Sequence, residues 1–320
     1  MRWKSIKTVM IVILLGVNLW LIYLLVGRHT AQTYFGHDVL QNTIEILARD
    51  GILMTVEQID PKKRDADVYE AEMGADYSDS VAAVFSASPI HEVFPTPTGV
   101  RMIADNGDTI SFSGAFGINF LAGGQERETM SAIAEWAVRA GEPLAPGQYA
   151  LRDLREMLEA RLDTDTAGGT VASVHAKLSF DAAWRFGDYV LFRCSQALDG
   201  KKISGHTVDC LFDEAGNLLW LDGTWGFLSL VRNYSAQLYD QINILFNEKA
   251  ALREQREADA DGTPDSLTLS SMQLCYIINT AADGATGGSR VYFSPAWQIS
   301  YTDGTTRTYS AVTGELAEAP

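Results

Sequence analysis

The sequence predicts an α+β protein: an N-terminal single transmembrane helix followed by an extracytoplasmic region of antiparallel sheets packed with helices, in repeated helix-plus-strands units. Three observations carry this. Residues 8–26 read TVMIVILLGVNLWLIYLLV, nineteen residues without a charge. Asn106-Gly107, Asp199-Gly200 and Asp303-Gly304 each stand between strand-like runs, the arrangement of hairpin turns. Between the groups of strands lie runs whose apolar residues recur at helical spacing.

The apolar run comes first. At about 1.5 Å per residue it spans roughly 28 Å as a helix, near the ~30 Å hydrocarbon thickness of a bilayer. A cleavable signal has a shorter apolar core and a small-x-small site. The flank Gly27-Arg28-His29-Thr30-Ala31-Gln32 offers no such site, so a retained anchor is expected. Arg2, Lys4 and Lys7 precede the run and only Arg28 closely follows it, which puts the N-terminus in the cytoplasm and the rest outside the cell membrane. Trp3, Lys4 and Lys7 at one end, with Trp20 and Tyr23 toward the other, are the expected membrane-interface anchors. Asn18 sits near midspan, where lipid offers its amide no partner. It either hydrogen-bonds across to another helix or is satisfied locally. The face it shares with Ile11, Leu14, Leu15, Ile22 and Leu25 is the candidate partner interface.

The organisation expected is a cytoplasmic tail (1–7), the anchor (8–27), a first exterior α+β domain (28–145) and a second (146–320). No acid occurs before Asp38, so all 41 acidic residues and 21 of the 25 basic ones lie beyond Arg28, a net charge near −20. That charge speaks against nucleic acid as a partner. Three cysteines cannot all pair with one another. A two-residue hairpin at Asp199-Gly200 places Cys194 opposite Gly205 and Cys210 opposite Tyr189, too far apart to bridge unless a bulge intervenes. Three free, buried thiols are expected.

Outside the anchor, residues 38–49 predict a short helix with Val39, Thr43, Ile46 and Leu47 on one face, ending at Gly51. Strands are predicted at 52–59 and 67–73, around the polar turn Pro61-Lys62-Lys63-Arg64, then at 100–104 and 109–113. Helices follow at 127–139, with Met130, Ile133, Ala134 and Ala137 on one face, and at 148–162, with Leu151, Leu154 and Leu158. Strands at 171–178, 189–197, 202–212 and 218–223 form a meander. A helix over 236–257 turns Leu238, Ile242, Leu245 and Leu252 to a common face, and strands resume at 267–279, 290–301 and 305–311. Helix-then-strands thus recurs over 148–225 and 236–316, a degenerate repeat.

The motifs of common chemistries are missing. His29, His37, His91, His175 and His206 are scattered without ligand spacing, and no nucleophile elbow, P-loop or HExxH stands in the chain. Two segments, 163–168 and 257–262, imitate the start of a calcium loop. Where that loop needs its closing Glu they have Val174 and Thr268, so both read as linkers. No cofactor, metal or catalytic residue is expected. Pro95-Thr96-Pro97-Thr98 with Trp220, Trp225, Trp297 and Tyr301 read either as groove-lining residues or as core aromatics flanked by turns.

Trp3-Lys4-Ser5-Ile6-Lys7-Thr8, the apolar run through Leu15, and Val17-Asn18-Leu19-Trp20-Leu21 resemble the start of the YycI-type membrane proteins, which accompany an essential sensor histidine kinase in Gram-positive bacteria. The far end is similar too. Leu274-Cys275-Tyr276-Ile277, then 294–299 (SPAWQI), Asp303-Gly304 and 309–315 (YSAVTGE) resemble that family's closing strands and also PepSY-type modules. The related YycH proteins share the architecture, and the assignment between the two stays open. The resemblance implies a non-catalytic regulator in two-component signalling and cell-wall homeostasis. Its span would pack against a WalK-type sensor kinase, and its exterior would contact that kinase or a YycH-like companion. The rival expectation is a tethered binding module whose PepSY-like sheet holds a peptide, a propeptide or a lipid-linked wall precursor. A membrane-anchored hydrolase would need a catalytic constellation that the sequence does not display.

Overall fold

The computed structural model describes residues 17, 18, 20, 34–62, 64–73, 86, 88–114, 116–145, 176–226, 228–258, 266–280 and 290–317. Among them the protein is α+β, with three helices and mostly antiparallel strand pairings. None of the described helices is long and apolar enough to cross a membrane. Most of the expected anchor lies outside the described residues. So do the expected helix at 148–162, the first calcium-loop imitation and most of the second. The chain divides into two compact units. The first takes Met1–Ala66, Gln237–Gln273 and Trp297–Ala319; the second is essentially Asp67–Ala236 and Leu274–Ala296. The boundary expected between 145 and 146 falls where the described residues break off.

In the first unit, helix α1 (His37–Arg49) starts after Gly36, whose extended backbone precedes the first turn, and ends before Gly51 at φ 79°. It buries Leu40, Thr43 and Leu47, so Thr43 and Leu47 of the expected face are inside while Val39 and Ile46 remain 49% and 37% exposed. The three buried positions make a narrow stripe, on which α1 meets strand β1 (Ile52–Leu53) and helix α3 (Gln241–Ala258). The strand expected over 52–59 is a correction. Only β1 forms, and the chain then turns through a 3₁₀ helix at Val56–Gln58. The cause is a capping box in which Thr55 and Gln58 satisfy one another's backbone N–H groups. Helix α3 begins about five residues later than expected, because the Asp240 carboxylate accepts the Asn243 N–H and caps it there. The Tyr239 N–H is held by the Ala311 carbonyl, and the Tyr239 carbonyl by Trp297 Nε1 at 2.9 Å. The unit's sheet runs β1, β13 (Leu267–Thr280), β14 (Arg290–Tyr301) and β15 (Thr306–Ser310), with β1 parallel to β13. The lower-numbered part of β13 and the higher-numbered part of β14 belong here.

The second unit is built on β2 (Asp67–Met73), β3 (Ile90–Thr96), β4 (Gly99–Ala104), β5 (Thr109–Ser113), β6 (Gly117–Leu121), β7 (Glu142–Pro143), β8 (Ala176–Phe186), β9 (Tyr189–Leu198), β10 (Lys201–Asp213), β11 (Leu218–Thr224) and β12 (Leu228–Ser235). The rest of β13 and β14 joins them. One ladder runs β12-β2-β14-β13-β10-β11-β6-β5-β4-β3, while β9 pairs β10 and carries β8 and β7. The hairpins at Asn106-Gly107 and Asp199-Gly200 form as expected. Strands β3, β6, β7 and β12 were not expected, and β8 runs on to Phe186 where an end near 178 was expected.

One face of this sheet carries the core of Ile110, Phe112, Phe120, Phe192, Phe212, Leu221 and Trp225 with their neighbours. On the other face, helix α2 (Arg127–Ala140) sets Met130, Ala134 and Ala137 against Leu191, Leu211 and Trp220. Gly223 permits the β10–β11 pairing: at φ 151° it lies so close to β10 that a Cβ would stand 2.2 Å from the Thr207 carbonyl oxygen.

The cysteine geometry is also corrected. A register shift between Lys202 and Thr207 puts Cys194 opposite Val208 and Cys210 opposite Phe192. The offset between the two sulfurs thereby falls from five residues to two. Neither thiol, nor that of Cys275, is in a disulfide, and all three are buried. Burial pushes the Cys275 thiol up to about 12 and raises Cys210 further.

Candidate functional site

Most buried polar side chains of the described residues are spent on one another. In the first unit Glu248, on α3, is fully buried and accepts the Tyr301 hydroxyl at 2.5 Å and the Tyr309 hydroxyl, with Arg307 Nε 3.6 Å away. Helix and sheet are fastened there by a charge that its partners satisfy. Both tyrosines are raised above the ordinary phenol value, first by burial and then by the carboxylate beside them. In the second unit buried Glu70 of β2 pairs with Arg232 of β12 and with Arg290 of β14 at 3.1 Å, lacing three neighbouring strands. His206 donates from Nδ1 to Gln196 Oε1 at 2.8 Å, and the same amide exchanges two hydrogen bonds with the Gly226 backbone. Burial pushes the His206 imidazole down to about 4, so it is neutral at pH 7. These clusters hold strands and helices together. Among the described residues no group of three His, Cys, Asp or Glu side chains is placed to hold a metal ion.

An open place exists in the first unit, beside β13. A groove of about 630 Å³ runs between the 3₁₀ segment (Val56, Glu57, Gln58, Ile59, Asp60, Pro61) and β13 residues 270–273. Its geometry follows from the strand. Leu267 donates its N–H to the Gly51 carbonyl at 2.8 Å, and the Leu269 carbonyl accepts Gln58 Nε2 at 2.5 Å. Both therefore direct their backbone groups away from β14. The Thr268 carbonyl, between them, accepts the Thr302 N–H at 2.9 Å on the other side. Past Leu269 the period of two is interrupted, the next buried side chain of the strand being Met272. Strand β1 pairs only as far as Thr268, and no described strand follows it along 270–273. Gln58 closes the ladder: its Oε1 accepts the Thr55 N–H at 2.7 Å while its Nε2 stands where a neighbouring strand's N–H would be.

The charge of the groove is negative. Glu57 and Asp60 are its only ionisable lining residues. Asp60 is engaged by Arg64 Nε at 2.7 Å. Glu57 is fully solvated, and a hydrogen bond from the Thr55 side chain holds its carboxyl below the ordinary carboxylate range. It is a fixed negative charge at the rim.

The residues singled out in the sequence fare differently. Asn18 and Trp20 are described and exposed, Trp20 at 61%. Ile11, Leu14, Leu15, Ile22, Leu25, Trp3, Lys4, Lys7 and Tyr23 lie outside the described residues. Trp220, Trp225, Trp297 and Tyr301 are buried in the interior, the core-aromatic alternative, whereas Pro95-Thr96-Pro97-Thr98 is exposed. The β13 groove was not anticipated. Its one sequence signal was the Thr55-x-x-Gln58 spacing of a capping box, which breaks the strand read over 52–59.

No family model matches the chain, and no curated protein does. Among solved structures, the Bacillus megaterium YpeB C-terminal domain is similar at 8% identity and a TM-score of 0.31, covering 89% of this chain and 97% of that one; at that level neither family nor function follows from it.

Proposed function

We propose that the chain is a non-catalytic, membrane-anchored regulator of a WalK-type sensor histidine kinase, acting through its span and its extracytoplasmic region. The observation that carries this reading is Asn18, an amide at the middle of a nineteen-residue uncharged run, within an N-terminal stretch that resembles the YycI-type proteins. An amide in hydrocarbon gains a partner by facing another helix, typically about 0.6–2 kcal/mol of association. Regulation then requires unequal binding to two kinase conformations, since equal binding shifts no equilibrium. The spending of Glu248, Glu70 and His206 on internal fastening fits a protein that works by contact.

The test is purification of the full-length protein from its native membranes in mild detergent, with mass spectrometry of stoichiometric partners and Asn18→Leu alongside. A sensor kinase, with recovery reduced by the substitution while membrane insertion persists, is the expected outcome. Undiminished co-purification removes the role of Asn18. The β13 groove favours a second reading, a tethered module that holds an extended ligand. Recovery of a bound peptide and no kinase would select it.

A further inference from the structure

We infer that Tyr34, Lys62 and the Val39–Ile46 side of α1 form a lipid-contacting surface that lies in the headgroup layer of the bilayer, with α1 parallel to the membrane. The inference rests on the anchor reading of residues 8–27 and is independent of the kinase and of any ligand in the β13 groove.

Tyr34, Val39 and Ile46 are 46%, 49% and 37% exposed. The backbone puts them on one continuous face with Lys62. Phe35 donates its N–H to the Pro61 carbonyl at 2.8 Å, beside an antiparallel bridge between Tyr34 and Lys62. Because that hydrogen bond flanks the bridge, Tyr34 and Lys62 are a non-hydrogen-bonded pair, whose side chains stand closest on a common face. The chain is extended at Gly36, and residues two apart in an extended chain face the same way. Gly36 therefore continues the side of Tyr34, while Phe35 between them is half-buried. A Cβ on Gly36 would stand 3.8 Å from Val39 Cγ2, so Val39 adjoins that side. Ile46 follows seven residues later, two turns and about 10 Å along the same side of α1. A phenol beside an exposed Lys suits a bilayer interface: ring and alkyl stem lie on apolar ground, and hydroxyl and ammonium reach the headgroups.

The length of chain between anchor and surface identifies the occupant. Only residues 28–33 separate the two. Fully extended, the path from Gly27 to Tyr34 reaches roughly 25 Å, against a headgroup layer of ~5–8 Å on each side of the hydrocarbon. The surface is thus held beside lipid at a high effective concentration, where weak contacts suffice. Net charge is not the attraction, because Asp38 and Glu45 of α1 are exposed too and Arg64 is engaged by Asp60. Apolar area and the Tyr34–Lys62 pair carry the contact. Trp136 on α2 is as exposed, at 56%, but no short tether brings it to a bilayer.

The test uses full-length protein, one copy per phosphatidylcholine–phosphatidylglycerol nanodisc, with a nitroxide on one added cysteine at a time: Val17→Cys, Val39→Cys, Ile46→Cys, or Glu135→Cys on the exposed side of α2. The unaltered protein, whose three thiols are buried, is the blank. Power-saturation EPR reads access to a water-soluble nickel chelate. Labels at 39 and 46 should be about three- to tenfold less accessible than the label at 135, as for a face ~5–10 Å into the headgroup boundary, with the label at 17 the least accessible. Tyr34→Ser with Lys62→Ser should return the label at 46 toward the value at 135; no change there overturns the role of that pair. Equal access at 39, 46 and 135 with protection at 17 overturns the surface and leaves the anchor standing. Full access at 17 removes the anchor and the surface with it. The discs hold no partner protein, so protection in them comes from lipid.

Discussion

Glu248 and His206 are buried under opposite terms. Glu248 keeps its carboxylate inside by surrounding it with two phenol donors and a guanidinium, whereas His206 meets burial as a neutral imidazole. Glu248→Ala would leave two buried hydroxyls without their acceptor and Arg307 without its buried counter-charge, and removal of one partner from a buried ion pair costs about 3–5 kcal/mol. A loss of that size in urea denaturation is expected, and a loss below about 1 kcal/mol would contradict the fastening role. For His206 the sign runs the other way from a stabilising cation. Its folded value of about 4 lies below the ordinary 6.5, so below pH 6.5 the unfolded chain binds the proton first. The stability contributed by the neutral ring is complete above pH 6.5 and is lost as the pH falls toward 4. The wild type should therefore lose more stability between pH 7 and pH 4.5 than His206→Gln does, measured as urea midpoints at both values; parallel losses would show that the ring does not titrate in this way.

At the scale of elements, α1 makes the clearest test. Leu47 is wholly buried while Ile46, its neighbour, is 37% exposed. Leu47→Ala should cost about 2–5 kcal/mol and Ile46→Ala under about 1. Equal costs would restore the face that hydrophobic spacing alone suggested. Spacing groups Val39 and Ile46 with Thr43 and Leu47 because they are equally apolar, and only the contacts with β1 and α3 narrow the stripe to Leu40, Thr43 and Leu47. Strands bounded by strong turns were legible for the reason that Asn-Gly and Asp-Gly need a left-handed backbone: β4, β5, β9, β10, β14 and β15 all came within a residue or two of expectation. Strand β12 was not legible. Its register slips between Leu230 and Arg232, so its inward and outward residues fall out of the period of two. The edge of β13 was hidden for a different reason: which side of a strand is left open depends on where its partner stops, and β1 stops after two residues.

At the scale of the molecule, composition and charge located the acidic excess after the apolar run, and the acidic lining of the groove is a local instance of it. The polar interiors were invisible in sequence because their members lie far apart. Glu248 meets Tyr301 and Tyr309 at separations of 53 and 61 residues, and Glu70 meets Arg232 and Arg290 at 162 and 220. The same remoteness governs how the first unit comes into being. It is assembled from three stretches of chain, Met1–Ala66, Gln237–Gln273 and Trp297–Ala319, and α1 packs on α3. About 190 residues separate the end of one helix from the start of the other, roughly 10–40 s of synthesis at ~5–20 residues per second. For that interval α1 has emerged without its partner, with Leu40 and Leu47 uncovered beside the apolar run that precedes them. A chaperone that covers α1 during the wait would act on a step that the finished fold no longer displays.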